Sequence, residues 1–319
     1  EDGVRFLSLG PLSGSRLQRL GRGFRAMLLM LSARDAILHL HDPELLVAAL
    51  IPSMLGRKLI FDAHEFYVPH IQQATWLPWP LRHAVASLYD CLERLILGRF
   101  AGVVVATNAM RARYARMVGD DRVVVVRNFP YIQITERSRV LSDGHPLGGQ
   151  PYIVHTGGAS SLRMFHVIVK SVEYLREHGC TWPFINLGEI DLSGYHPRVR
   201  QDLERRAAAV GIRNLGMISQ EQAWRYCAHA AVGTIFLKPV ENYMQALPIK
   251  LFEYWTFGIP VVACDLGLVA QYIRQTGAGL LFPPEQGSAA AQCVLRLFRE
   301  PELRASLAQA ALAISSSYE

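Results

Sequence analysis

Apolar and polar positions alternate along this chain in two rhythms. Short β-branched runs, read as buried strands, are separated by longer stretches of helical period, the grammar of βαβ units and parallel sheets. In the first half, strands are expected over residues 4–9, 36–42, 58–65, 102–107 and 122–128. Helices are expected over about 17–31, 43–55, 81–100 and 109–118. This half reads as a parallel sheet covered on both sides. Residues 67–80, with Tyr67, Trp76 and Trp79, show no helical period and read as an aromatic loop, either offering its rings to a sugar or lipid or packed as a lid on its own domain. After Asn128-Phe129-Pro130 the chain turns polar as far as Gln150, which places the domain division at 1–147 and 148–319. The second half repeats the alternation, with strands over 151–155, 184–189, 215–219, 231–237, 261–264 and 277–282. Helices are expected over 202–210, 220–229, 289–299 and on to 314, and Ser219 with Gln222 three residues later reads as a capping box.

Chemistry enters where these strands end, because ligands of open α/β sheets sit at the polar loops beyond the strand carboxyl ends. Asp42, Glu44, Asp62, His64 and Glu65 become candidates on that ground, with a satisfied surface histidine the plain alternative for His64. Beyond residues 151–155 comes Thr156-Gly157-Gly158-Ala159-Ser160-Ser161-Leu162-Arg163. Glycines between a strand and a helix let backbone N–H groups approach phosphate oxygens, and Arg163 adds charge. The turn matches neither G-x-G-x-x-G nor a P-loop. Residues 246–263 are the densest stretch: Pro248 and Gly258 punctuate a short helix on which Lys250, Glu253 and Tyr254 share a face. Lys250 near the helix N-terminus suits an anionic phosphate, and Glu253 suits a diol such as a ribose; a surface salt bridge is the alternative.

Composition narrows the class. The 319 residues are 50% apolar and 19% charged, enough for two globular domains and far from a disordered chain. The longest apolar stretch, residues 45–55, contains Pro52 and falls well short of the ~20 residues a membrane-spanning helix needs. The chain opens Glu1-Asp2-Gly3-Val4-Arg5, unlike a signal peptide, and its five scattered cysteines form no C-x-x-C; both favour a cytoplasmic setting. Basic residues outnumber acidic ones by 33 to 27, with 18 against 13 in residues 1–145. A positive first half, including Arg19, Arg22 and Arg25 on one helix, points to an anionic partner, with peripheral contact at the inner membrane face one expectation. No zinc-finger or RNP-like pattern supports nucleic acid. No D-x-D stands in the chain, so no metal is expected.

P-x-K-x-x-E-Y-x-x-x-G-x-P-V, running from Pro248 to Val261, resembles the nucleotide-sugar motif of the retaining GT-B glycosyltransferases known as family GT4. H-x-H-D-P-E-L-L at 39–46 with D-x-H-E at 62–65 resembles a bacterial branch of that family that builds surface polysaccharides and related glycans. The resemblance implies two Rossmann-like domains facing across a cleft, with the donor held by the second and the acceptor by the first. It implies transfer of a hexose or related sugar from a nucleoside diphosphate sugar, such as a UDP- or GDP-sugar, to a hydroxyl on a glycan, a lipid-linked or a small-molecule acceptor, with retention and without a further cofactor. Carried onto this chain, it assigns Lys250, Arg163, Gly157 and Gly158 to the diphosphate, Glu253 to the ribose and His64 to the transferred sugar. Met217 and Ile218 would line the base pocket, Leu251 would join the nucleotide-binding stretch, and Gln245 stands where the family's Glu-x7-Glu pair has its first glutamate. Both ends look short against that family. Two rivals remain: a non-catalytic nucleotide-sugar-binding scaffold of a glycan-assembly complex, and a GT-B-like nucleotide-sugar epimerase.

Overall fold

All strand pairings within the two main sheets are parallel, as runs such as Val103-Val104-Val105 and Val261-Val262-Ala263 lead one to expect. The computed structural model describes residues 7–9, 16–72, 77–130 and 134–316. Most of the strand expected over 4–9 and the Trp76 part of the aromatic loop lie outside them. The chain divides into two compact units, Glu1–Arg127 and Asn128–Glu319.

The first unit runs α1 (Arg16–Ser32), β1 (Ile37–Leu40), α2 (Glu44–Met54), β2 (Lys58–Ala63), α3 (Tyr67–Gln72), α4 (Trp79–Leu97), β3 (Gly102–Val105), α5 (Asn108–Val118) and β4 (Val123–Val125). Its sheet has the order β1-β2-β3-β4. Leu59, Phe61 and Ala63 on one face are buried, whereas Ile60 and Asp62 on the other are half-buried. The sheet is therefore covered fully on one face and only partly on the other, where coverage of both was expected. Tyr67–Gln72 is a short helix inside the stretch read as a loop. Glu93, 2% exposed on α4, accepts bonds from Arg113 at 2.9 Å and from the Tyr114 hydroxyl at 3.1 Å, which ties α4 to α5 and accounts for its buried charge.

The second unit continues with α6 (Ile134–Ser142), β5 (Ile153–Thr156), β6 (Ala159–Ser160), α7 (Phe165–Glu177), β7 (Phe184–Leu187), β8 (Ile190–Asp191), α8 (Pro197–Ala209) and β9 (Ile212–Asn214). It closes with α9 (Gln220–Ala228), β10 (Val232–Ile235), α10 (Glu241–Met244), α11 (Ile249–Thr256), β11 (Val261–Cys264), α12 (Gly267–Thr276), β12 (Gly279–Phe282), α13 (Gly287–Arg299) and α14 (Pro301–Ser315). Its main sheet has the order β12-β11-β10-β5-β7-β9. Residues of β5, β7, β10 and β11 are all buried, as a sheet with helices on both faces requires. The described residues of 128–147 belong to this unit rather than closing the first. Phe129 stands edge-on to Phe252 with ring centroids 4.7 Å apart, and the Arg225 guanidinium donates to the Gly144 carbonyl at 2.7 Å. The polar stretch that placed the division at 147 holds helix α6. The strand expected over 215–219 is corrected: β9 ends at Asn214, and only Gly216 pairs with Gly188 through a single bridge. The Ser219–Gln222 capping box forms as expected, Gln222 N donating to Ser219 Oγ at 3.3 Å and Ser219 N to Gln222 Oε1 at 3.4 Å.

Candidate functional site at the strand reversal of the second unit

The second sheet reverses direction between β5 and β10: successive strands run outward to β9 on one side and to β12 on the other. A crevice opens beyond the carboxyl ends of strands at such a point, and there the fold offers polar loops to a ligand. Beyond β5 lies the turn with Gly157 and Gly158, both exposed. Gly157 has φ +87°, and its N–H donates to the Leu187 carbonyl at 2.7 Å. Gly188, with φ +147°, backs directly onto this turn: a Cβ there would stand 2.5 Å from the Gly157 carbonyl carbon and oxygen. Only glycine fits, so the turn is clamped from behind by the loop after β7.

Helix α11 is strapped across the same two strands by Tyr254. Its ring lies against Gly233 of β10, where a Cβ would come within 2.6 Å of the ring. Its hydroxyl accepts from Thr156 N of β5 at 2.9 Å and from Thr156 Oγ1 at 3.0 Å. The residue that shares a helix face with Lys250 and Glu253 is thus the fastener that positions them. Glu253, one turn in, accepts a bond at Oε1 from the Trp224 indole Nε1 at 3.1 Å. Burial raises its pKa, opposed by that bond and by Lys250.

Lys250 is 9% exposed, and a side chain at Gly157 would begin 3.4 Å from its Nζ, so the ammonium lies over the glycine turn. Burial first, then the charge of Arg163, lowers its pKa to about 7, with Glu253 opposing. The surface salt bridge is ruled out: Lys250 is buried, and among the described residues no carboxylate stands at ion-pairing distance from it. Arg163 holds its guanidinium 5.6 Å from the centre of the Tyr243 ring, and its N–H donates to Ser160 Oγ at 3.2 Å. Met164, buried and left-handed at φ 50°, turns the chain from Arg163 into α7. A non-glycine residue held there marks local strain next to Arg163.

His155 was read only as a strand residue, yet it belongs to this site. It is fully buried on β5, and Nδ1 lies 3.1 Å from both the carbonyl oxygen and the hydroxyl of Thr234. Burial, reinforced by Lys250 and Arg163, holds its pKa well below the ordinary histidine value. The ring is neutral, Nδ1–H donates to the carbonyl, and Nε2 has no partner among the described residues. An ionisable residue at a strand's carboxyl end was the available signal, the same one that singled out Asp62 and His64.

The other expected residues scatter. Gln245 is half-buried at the end of α10. Ile218 lines a cavity of about 400 Å³ with Leu215, Gln222, Arg225 and Tyr226, whereas Met217 is 76% exposed. Leu251 packs its side chain wholly into the apolar core, and its N–H donates to the Pro248 carbonyl, so its side chain does not line the site. His64 lies in the first unit beyond β2, exposed, with its ring stacked on His41 at a centroid distance of 5.5 Å.

Comparison with known proteins follows the same division. The family model described as Glycosyl transferase 4-like domain matches residues 1–128, and that described as Glycosyl transferases group 1 matches residues 150–300. An alpha-D-kanosaminyltransferase of Streptomyces kanamyceticus is 25% identical over 177 residues, 55% of this chain and 44% of that protein. D-rhamnosyltransferase WbpZ of Pseudomonas aeruginosa is 23% identical over 188 residues, 53% of this chain and 46% of that protein. The matched stretch spans less than half of either relative. Among solved structures, sucrose-phosphate synthase from Thermosynechococcus elongatus superposes with a TM-score of 0.69 at 15% identity, covering 98% of this chain and 77% of that one. Anabaena HepE in complex with UDP and glucose gives a TM-score of 0.67 at 17% identity, covering 97% and 80%. With both halves matched, the chain belongs to the GT4-like, group 1 glycosyltransferases and has their GT-B fold.

Proposed function

We propose that the second unit binds a nucleoside diphosphate sugar at the β5–β10 reversal and that the protein transfers the sugar to a hydroxyl acceptor with retention of configuration. The observation that carries this reading is Lys250: a buried lysine over a glycine turn, beside Arg163 and without a carboxylate at ion-pairing distance among the described residues, is a site short of negative charge. A diphosphate supplies that charge, and the exposed glycine turn offers it the Gly158 N–H, the Gly157 N–H being held by the Leu187 carbonyl. Glu253, oriented by Trp224, receives the ribose hydroxyls, and the cavity beside Ile218 receives the base. The relatives named as kanosaminyl- and rhamnosyltransferases, and the HepE structure with UDP, support the substrate class.

In this reading the bond from the anomeric carbon to the leaving phosphate oxygen breaks as the acceptor oxygen bonds to the same face. The acceptor proton passes to that phosphate oxygen. Lys250 and Arg163 stabilise the charge gathering on the departing diphosphate, the role a metal plays elsewhere. His64, in the first unit, contacts the transferred sugar, as the family resemblance implies. A second reading rests on Gln245, which lacks the charge of the family's glutamate: a binder that holds the donor without turning it over. Calorimetric titration with a panel of UDP- and GDP-sugars, followed by turnover of the tightest donor with and without hydroxyl acceptors, separates the two. Donor binding with no transfer to any acceptor would favour the binder, and no nucleotide binding would reject both.

A further inference from the structure

The carboxyl edge of the first unit's sheet gathers three imidazoles around one carboxylate. The strand register brings them together: in β1 and β2, running parallel, His39 pairs with Ile60 and Leu40 with Phe61, so the next pair is His41 with Asp62. Paired residues of neighbouring strands point to the same side, and side chains recur on a face every two residues. His39, His41, Asp62 and His64 therefore share one face.

Their polar atoms converge. His41 Nδ1 lies 3.3 Å from Asp62 Oδ2, His39 Nε2 lies 3.7 Å from the same oxygen, and His64 Nε2 lies 3.7 Å from Asp62 Oδ1. His41 Nδ1 and His64 Nε2 are 3.2 Å apart. The ligand atoms of His39, His41 and Asp62 all fall within 4.8 Å of one another. As a hydrogen-bonded cluster this is poor, because the three imidazole–carboxylate separations exceed the 2.7–3.2 Å of good N–H···O bonds. As a coordination shell it fits better: ligands about 2.0–2.1 Å from a tetrahedral ion stand roughly 3.3 Å from one another, and His41 Nδ1 stands 3.3 Å from Asp62 Oδ2 and 3.2 Å from His64 Nε2. His39, His41 and Asp62 Oδ2 make the tight group, and His64, which faces Asp62 Oδ1, completes it by a turn of its exposed ring. No arginine or lysine is paired with Asp62 among the described residues, so its charge is met by imidazole alone. The imidazoles are also exposed enough for an ion to enter from solvent.

We propose that His39 Nε2, His41 Nδ1, His64 Nε2 and the Asp62 carboxylate form a tetrahedral site for a divalent transition-metal ion of the zinc class. Three nitrogen donors and one oxygen select such an ion over magnesium or calcium, which prefer all-oxygen shells. All four residues belong to the first unit. His64 is shared with the proposed sugar contact, but metal uptake is read without substrate, so its failure leaves the nucleotide-site reading intact.

The test uses the whole chain, freed of metal by chelator and dialysis and titrated with cobalt(II) under visible absorption. The expected result is one ion per chain with the intense bands of four-coordinate cobalt, displaced by stoichiometric zinc and unaffected by excess magnesium. Asp62→Asn should weaken affinity by at least the 10–100-fold that loss of even an outer-sphere partner costs, and His39→Ala/His41→Ala should abolish it. His70→Ala and His83→Ala, at exposed histidines elsewhere in this unit, should change nothing. Circular dichroism of the metal-free variants checks that they fold. Should the double variant lose its fold, His39→Gln alone decides, since it keeps a polar side chain without the imidazole. Absence of four-coordinate bands in the native chain, or uptake unchanged in the folded double variant or in His39→Gln, would overturn the assignment.

Discussion

The buried Lys250 makes a prediction that can be read as protons. Its pKa near 7, against 10.5 for an unburied lysine, means the folded, ligand-free chain holds it partly neutral at physiological pH. Between those two values the unfolded chain binds more protons, so stability should rise with pH from about 7 to about 10.5. The difference corresponds to roughly 5 kcal/mol of destabilisation, present in full below pH 7, at about 1.4 kcal/mol per pH unit. Lys250→Met removes that penalty and should raise the melting temperature of the ligand-free protein below pH 7, even as it impairs function. A bound diphosphate restores the ammonium, so at pH 8, above the Lys250 pKa of about 7, binding should take up a large part of one proton. Calorimetry of UDP or GDP in buffers of different ionisation enthalpy measures the uptake directly. The variant should lose it, together with about one to two decades of nucleotide affinity, the worth of a charge-assisted contact of about 1.5–3 kcal/mol. The free nucleoside should show neither effect. Equal proton uptake in wild type and variant, or equal affinity losses for nucleotide and nucleoside, would refute the phosphate role of Lys250.

Glu253→Gln should impair donor binding through the ribose, so the variant should discriminate less than wild type against a 2′,3′-dideoxy nucleotide; unchanged discrimination would reject the assignment. Dialysis against EDTA should leave UDP or GDP affinity intact, because side-chain cations meet the phosphate charge, and a loss restored by magnesium would mean that a metal bridges the phosphates. His64→Ala, assayed metal-free, should lower kcat and kcat/KM together by ~10²-fold or more while sparing nucleotide affinity and thermal stability. Near-normal kcat would return this residue to the surface. Gly233→Ala sets a methyl group within 2.6 Å of the Tyr254 ring and should lower both melting temperature and nucleotide affinity, since α11 must shift to admit it; a variant as stable and as tight-binding as wild type would show that Tyr254 is not the fastener described.

The elements of this protein were legible where the controlling interactions are local. The Ser219–Gln222 capping box and the helix between Pro248 and Gly258 depend on residues within a few positions of each other. The parallel strands announced themselves as β-branched runs because both faces of the second sheet are buried. Where a local signal was ambiguous, the reading slipped. The stretch 215–219 carries apolar residues but no strand, and the polar stretch after Asn128 holds a helix whose role is set by packing on α9.

Chemistry followed the same rule. Residue type and spacing alone marked Lys250, Glu253, Gly157, Gly158, Arg163 and His64 as candidates, because each sits at a strand end or on one turn of helix. Only the tertiary structure decided what they face. It set Gly188 against Gly157, Trp224 against Glu253 and Tyr254 across β5 and β10, pairs separated by some twenty to a hundred positions in the chain. It also settled that Lys250 is buried rather than salt-bridged at the surface, that His155 is neutral, and that two strand ends bring His39, His41, Asp62 and His64 onto one face. The physical reason is that pKa, hydrogen-bond partnership and ligand geometry depend on what surrounds a group in space. Strand order and register place those surroundings, and they arise from long-range burial that no short window of sequence contains.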